Sequence, residues 1–136
     1  MVGTVRGMGK YDAVRERTGF GVPSGKTSPD AIDELLAMSR DGDERVRAVA
    51  AMNLCPCHVQ GRDDEVWERL FEMLGDPSSV VRGKAVHALA DGSPRDYGAR
   101  VADAFYELRN DPDRAVRRHV RKVLASYHRT GRVNVL

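Results

Sequence analysis

Three candidate metal ligands, Cys55, Cys57 and His58, fall within four residues of one another. Thiolate sulfur and imidazole nitrogen are donors that Zn²⁺ prefers, so this segment predicts a metal site. A closed zinc site needs a fourth donor, and the single residue between the cysteines is tighter than the usual spacing of about two to four. His87 or Asp91 could supply the missing ligand. The alternative is a corner in which these side chains only pack.

A thiolate beside His58 is also the pairing that nucleophilic cysteine enzymes use. The sequence, however, contains no recognisable oxyanion hole and no residue that would orient the histidine. We therefore predict that the chain is not an enzyme and that it carries no cofactor.

The stretch GFGVPSGKT, residues 19–27, looks like a phosphate-binding loop. Such a loop needs about four residues between its first glycine and the Gly-Lys-Ser/Thr end, because backbone amides must wrap the phosphates at a fixed radius. Gly21 leaves three residues before Gly25, and Gly19 leaves five. The spacing argues against nucleotide binding. Residues 1–27 are predicted to form a Gly-rich N-terminal arm, flexible or partly helical.

Charge is distributed unevenly along the chain. Residues 28–108 carry nine basic and sixteen acidic groups, whereas residues 109–136 carry eight basic and two acidic groups. The density of basic residues in this last segment is typical of a phosphate-contacting surface. The alternative is that they only form the solvated end of the repeat array described below, against which no further unit packs. The candidate binding residues are Arg114, Arg117, Arg118, Arg121 and Lys122.

Three segments align without a gap at a period of 35 residues. They are DGDERVRAVAAMNL (41–54), DPSSVVRGKAVHAL (76–89) and DPDRAVRRHVRKVL (111–124). A second apolar pattern with helical spacing precedes each of them: AIDELLAMSR, VWERLFEMLG and VADAFYELRN. Each unit is therefore predicted to be a pair of helices.

The pattern predicts an all-α fold, an α-solenoid of three helical hairpins spanning residues 28–136. The expected units lie near 28–62, 63–97 and 98–136. The expected helices lie near 29–39, 43–55, 64–74, 77–90, 95–109 and 112–128.

An aspartate opens each second helix and is predicted to cap it, with proline at the first helical position of units two and three. An arginine follows six residues later, and we predict that it bonds such aspartates of neighbouring units. The aspartates are Asp41, Asp76 and Asp111; the prolines are Pro77 and Pro112; the arginines are Arg47, Arg82 and Arg117.

The opening segment has no apolar run typical of a signal peptide, and no stretch approaches the roughly 20 apolar residues that span a bilayer. We expect a cytoplasmic protein with reduced thiols and no membrane partner.

The pattern Asp-Pro-x-x-x-Val-Arg, followed by apolar helical spacing, resembles the short HEAT-like form of the HEAT-repeat superfamily over residues 28–127. The corners LCPCH and DGSPR and the ending RTGRVNVL are similar to those of small bacterial HEAT-repeat proteins. The resemblance implies a solenoid whose second helices line a concave surface that holds a macromolecule. We expect a scaffold for protein–protein interaction through that surface, or alternatively nucleic-acid binding through the basic C-terminal repeat.

Overall fold

The computed structural model describes residues 29–55, 59 and 63–134, and every regular element within them is helical. The helices are α1 (Pro29–Met38), α2 (Glu44–Asn53), α3 (Asp64–Met73), α4 (Ser79–Gly92), α5 (Gly98–Glu107) and α6 (Arg114–Thr130), with a 3₁₀ turn at Arg95–Tyr97 before α5. Both ends of each predicted helix lie within three residues of the ends of an observed helix. The predicted N-terminal arm lies outside the described residues.

The second helices α2, α4 and α6 stack side by side, with α4 packed between the other two. Each first helix packs against the second helix of its own unit. Aligned residues occupy the centre of each unit: Leu35, Leu70 and Phe105 are fully buried. The all-α stack of helical pairs that the repeat predicts is thereby confirmed. None of the described helices is both long and apolar enough to cross a bilayer.

Arginine–aspartate pairs link successive units. Arg47 donates from Nε and Nη2 to the two carboxylate oxygens of Asp76, at 2.8 and 3.0 Å. Arg82 makes the same pair of bonds to Asp111, both at 2.9 Å. Each arginine also donates from Nη1 to two carbonyls of the loop that precedes its own helix. The predicted ladder between units is confirmed.

The predicted N-caps were wrong by two residues. The side chains that accept bonds from the first-turn amides belong to Asp43, Ser78 and Asp113. The earlier aspartates lie in the loops, where each accepts a bond from the backbone N–H of the cap residue. Pro77 and Pro112 consequently precede the helices and do not start them.

The chain after α6 turns back onto the second unit. Gly131 ends α6 with a φ of 74°, in the left-handed region that glycine adopts without strain. Val133 is then buried, and the Asn134 amide exchanges hydrogen bonds with the backbone of Ser93 at 2.9 and 3.1 Å. This contact fixes the corner between α4 and α5.

Candidate functional site

A groove of about 480 Å³ runs over the second helices. Its lining is apolar at Val80 and Val116 and polar at Lys84 and His119. Val80 is 55% exposed, one of two large hydrophobic side chains among the described residues that lie so open. The remaining lining residues are Met52, Ser79, Gly83, His87, Asp113 and Ala115.

Gly83, in the middle of α4, lines the groove and has no side chain to fill it. A Cβ atom at this position would meet no other atom within 4 Å, so packing does not require glycine here. Glycine inside a helix costs about 1 kcal/mol relative to alanine. The aligned positions hold Ala48, which is buried, and Arg118, which is exposed. The resemblance predicted a binding surface along the second helices, but the open space at Gly83 was not predicted from the sequence.

Lys84 is the one lysine or arginine among the lining residues, and His87 and His119 add imidazole nitrogens that can form hydrogen bonds. The one lining carboxylate, Asp113, accepts the bond from the Val116 amide at 3.0 Å and so caps α6. The groove therefore combines apolar side chains with one lysine and two histidines.

The five predicted basic residues divide into two groups. Arg117 donates to the carbonyls of Asp111 and Pro112 at 2.7 and 3.0 Å. Arg121 donates to the carbonyl of Arg109 at 2.9 Å and to the Asn110 side chain at 3.1 Å. These two arginines hold the α5–α6 loop.

The other three, Arg114, Arg118 and Lys122, are exposed on α6. Within the part of the chain that the structure describes, none of them forms an ion pair. Arg118 stands at the position where α2 has the buried Ala48. The same repeat position is therefore packed inside the stack in unit one and carries a solvent-exposed cation in unit three.

A cluster of possible metal ligands lies beside the groove. One donor atom from each of Cys55, His87 and Asp91 lies within 4.8 Å of the other two. Cys55 follows α2 and is 2% exposed, and its thiol donates to Oδ2 of Asp91 at 3.1 Å. Cys57 and His58 lie outside the described residues, and their part in a metal site stays a prediction. The structure brings Cys55 to both residues that the sequence suggested as additional ligands.

Comparison with known proteins supports the fold. A family model described as HEAT repeats matches residues 32–125, which is more than half of the chain. The comparisons with curated proteins and with solved structures gave no match. The matched range contains α2 to α5 completely, together with most of α1 and α6, and it includes both arginine–aspartate links. The chain belongs to the HEAT-repeat family.

Proposed function

We propose that the chain is a non-catalytic module that binds a segment of a partner protein in the groove over its second helices. HEAT repeats generally serve as protein-interaction scaffolds, which is the family-level support for this function. The observation that carries the proposal is Gly83, because an interior helical glycine without a packing role leaves open space where a ligand can lie.

The lining of the groove defines the ligand. Val80, Met52 and Ala115 offer accessible apolar area, and burying an apolar side chain there would contribute about 25 cal/mol per Å². The Lys84 ammonium attracts carboxylates, and the His119 ring can donate a hydrogen bond to them, in the same groove. We therefore infer a peptide segment in which an apolar side chain is flanked by acidic residues.

The test uses peptides selected on the wild-type protein from a random library, because the proposal defines the chemistry of the ligand and not its sequence. Gly83→Phe places a ring in the open space of the groove without displacing the core. We expect it to weaken binding of the selected peptides at least about tenfold in fluorescence anisotropy. Ala125→Phe is the matched control, since Ala125 is an exposed position of α6 outside the groove.

Two results would contradict this function. One is a set of selected peptides that binds the Gly83→Phe variant as tightly as the wild type. The other is a selection without enrichment of acidic and apolar residues.

The second candidate function is contact with nucleic-acid phosphates through Arg114, Arg118 and Lys122. It is favoured by their exposure and by the lack of ion pairs to them within the described residues. With about three phosphate contacts, affinity for duplex DNA should fall tenfold or more between roughly 50 and 200 mM salt. A double change of Arg118 and Lys122 to Glu should abolish a complex seen at low salt in a gel-shift titration. A wild-type protein that forms no such complex at low salt would remove this candidate.

A further inference from the structure

Two neighbouring units bring three chemically different ligands together at one edge of the groove. His87 and Asp91 are four residues apart on α4, so their side chains leave the same face of the helix one turn apart. Cys55 comes from the end of α2, which packs against α4. We propose that Cys55, His87 and Asp91 form a binding site for Zn²⁺.

The distances fit such a site with little rearrangement. Ligand atoms about 2.0 to 2.3 Å from a tetrahedral Zn²⁺ lie about 3.4 to 3.8 Å from one another. Cys55 Sγ and Asp91 Oδ2 are already 3.1 Å apart, and the three donor atoms span at most 4.8 Å. The His87 side chain is exposed, so rotation about its own bonds can bring its nitrogen to the metal.

The donor types select the metal. Sulfur, imidazole nitrogen and carboxylate oxygen together suit Zn²⁺, whereas Mg²⁺ and Ca²⁺ require oxygen ligands. In the structure the Cys55 thiol donates a hydrogen bond to Asp91. When Zn²⁺ binds, the Cys55 S–H bond breaks, an S–Zn bond forms, and one proton passes to the solvent. The thiolate and the Asp91 carboxylate then balance the two charges of the ion.

Three protein ligands leave a fourth tetrahedral position for water or another ligand. The site would tie the corner after α2 to the last turns of α4 and so add a metal link to the side-chain bonds that already join units one and two, among them the Arg47–Asp76 pair. Because His87 also lines the groove, metal binding would fix the position of one groove wall. The site does not depend on whether the groove binds a peptide.

The experiment measures zinc binding to the full-length, tag-free protein by competition with a chromophoric chelator. We expect one Zn²⁺ per chain, release of about one proton per ion at neutral pH, and a rise in the thermal unfolding midpoint. Co²⁺ in place of Zn²⁺ should give a thiolate-to-metal charge-transfer band. His87→Ala and Asp91→Asn should each weaken zinc binding by about tenfold or more.

The matched control is His119→Ala, which removes a histidine that lines the same groove but lies on α6. This variant should bind zinc as the wild type does. Cys55→Ser should abolish the charge-transfer band, but Cys55 is buried, so the variants at His87 and Asp91 decide the question even if the serine variant does not fold.

A wild-type protein that binds less than about a tenth of an equivalent of zinc at micromolar concentration would overturn the proposal. Wild-type affinity in both the His87→Ala and Asp91→Asn variants would also overturn it, because the ion would then be bound elsewhere, for example by Cys57 and His58.

Discussion

In α2 and in α4, one arginine bonds two loops at once. Through Nη1, Arg82 holds the loop that precedes its own helix, and through Nε and Nη2 it holds Asp111 in the loop of the following unit. Arg117 makes only the first kind of contact, since its Nε–Nη2 edge meets no carboxylate in the residues that the structure describes. The same residue type at the same repeat position should therefore contribute differently to stability.

This difference can be measured. Arg82→Ala leaves the side chain of Asp111, which is 4% exposed, without its charged partner. We expect the free energy of unfolding to fall by about 2 to 4 kcal/mol. Arg117→Ala is the matched control and should cost about 1 kcal/mol, because only bonds to carbonyls are lost. Urea unfolding with unchanged slopes would give both values, and equal losses would show that the inter-unit pair contributes nothing of its own.

Among the helices, the repeat register made the element boundaries predictable, because three aligned copies of one spacing restrict where each helix can begin and end. The N-caps were predicted two residues too early. Asp76, for example, is of a residue type that often caps helices. In the structure its carboxylate accepts bonds from Arg47 and from the Ser78 amide, and Ser78 caps the helix. One-dimensional spacing does not show how two carboxylate oxygens are divided among competing donors.

The candidate sites were predicted unequally for a related reason. Cys55, His87 and Asp91 could be named because their side chains carry recognisable chemistry. The groove depends on empty space above Gly83, which has no side chain to signal it. Arg121 was predicted as a binding residue from its charge; in the structure it also donates to the α5–α6 loop, and its part in binding stays a prediction. A charge can be read from a sequence, whereas the hydrogen bonds that the side chain makes within the fold cannot.

Helix α2 has a buried asparagine at a repeat position where the other two second helices have apolar residues. Asn53 is buried and donates from Nδ2 to the Val49 carbonyl at 3.0 Å, but its Oδ1 has no hydrogen-bond partner among the described residues. The aligned residues Ala88 and Val123 are buried and apolar. Asn53→Ala should therefore raise the free energy of unfolding by about 0.5 to 1.5 kcal/mol, since it removes an unsatisfied acceptor and improves helix propensity.

The reverse change in the neighbouring unit is the control for this prediction. Ala88→Asn should lower stability in the same denaturant assay, because it introduces a buried polar group into an apolar position. A loss of more than about 1 kcal/mol in the Asn53→Ala variant would show instead that Asn53 stabilises the corner after α2.

For the molecule as a whole, the stack is a linear array in which the described helices of each unit pack mainly against the neighbouring unit, so stability depends on the interfaces between units. The two arginine–aspartate links cross these interfaces and are largely shielded from solvent. Arg47 and Arg82 side chains are 16% and 13% exposed, and those of Asp76 and Asp111 are 7% and 4% exposed. A change that weakens both links at once should destabilise both interfaces.

Lowering the pH should weaken both links, because it protonates the carboxylates of Asp76 and Asp111. Burial, the largest single influence, would raise the pKa of Asp76, but the hydrogen bonds from Arg47 and the Ser78 amide, with the nearby positive charges, hold this pKa below its usual value. Asp111 is affected in the same way, with burial opposing the stronger combined effect of Arg82, the Asp113 amide and nearby charge, so that its pKa is also lowered. A carboxyl group with a lowered pKa in the folded protein stabilises it at pH values above the unfolded pKa of about 3.9. That contribution is lost as the pH falls from there through the lowered value.

We therefore expect urea midpoints to change little through these two groups between about pH 7 and 5, and to fall steeply below about pH 4. Asp111→Asn should be less stable than the wild type at pH 7, because Arg82 loses its charged partner, yet it should lose less stability between pH 5 and 3. Asp103→Asn serves as the control, since Asp103 is exposed on α5, and its profile should follow that of the wild type. If the Asp111→Asn and wild-type profiles ran parallel across the acid range, protonation of Asp111 would not account for the loss of stability in acid.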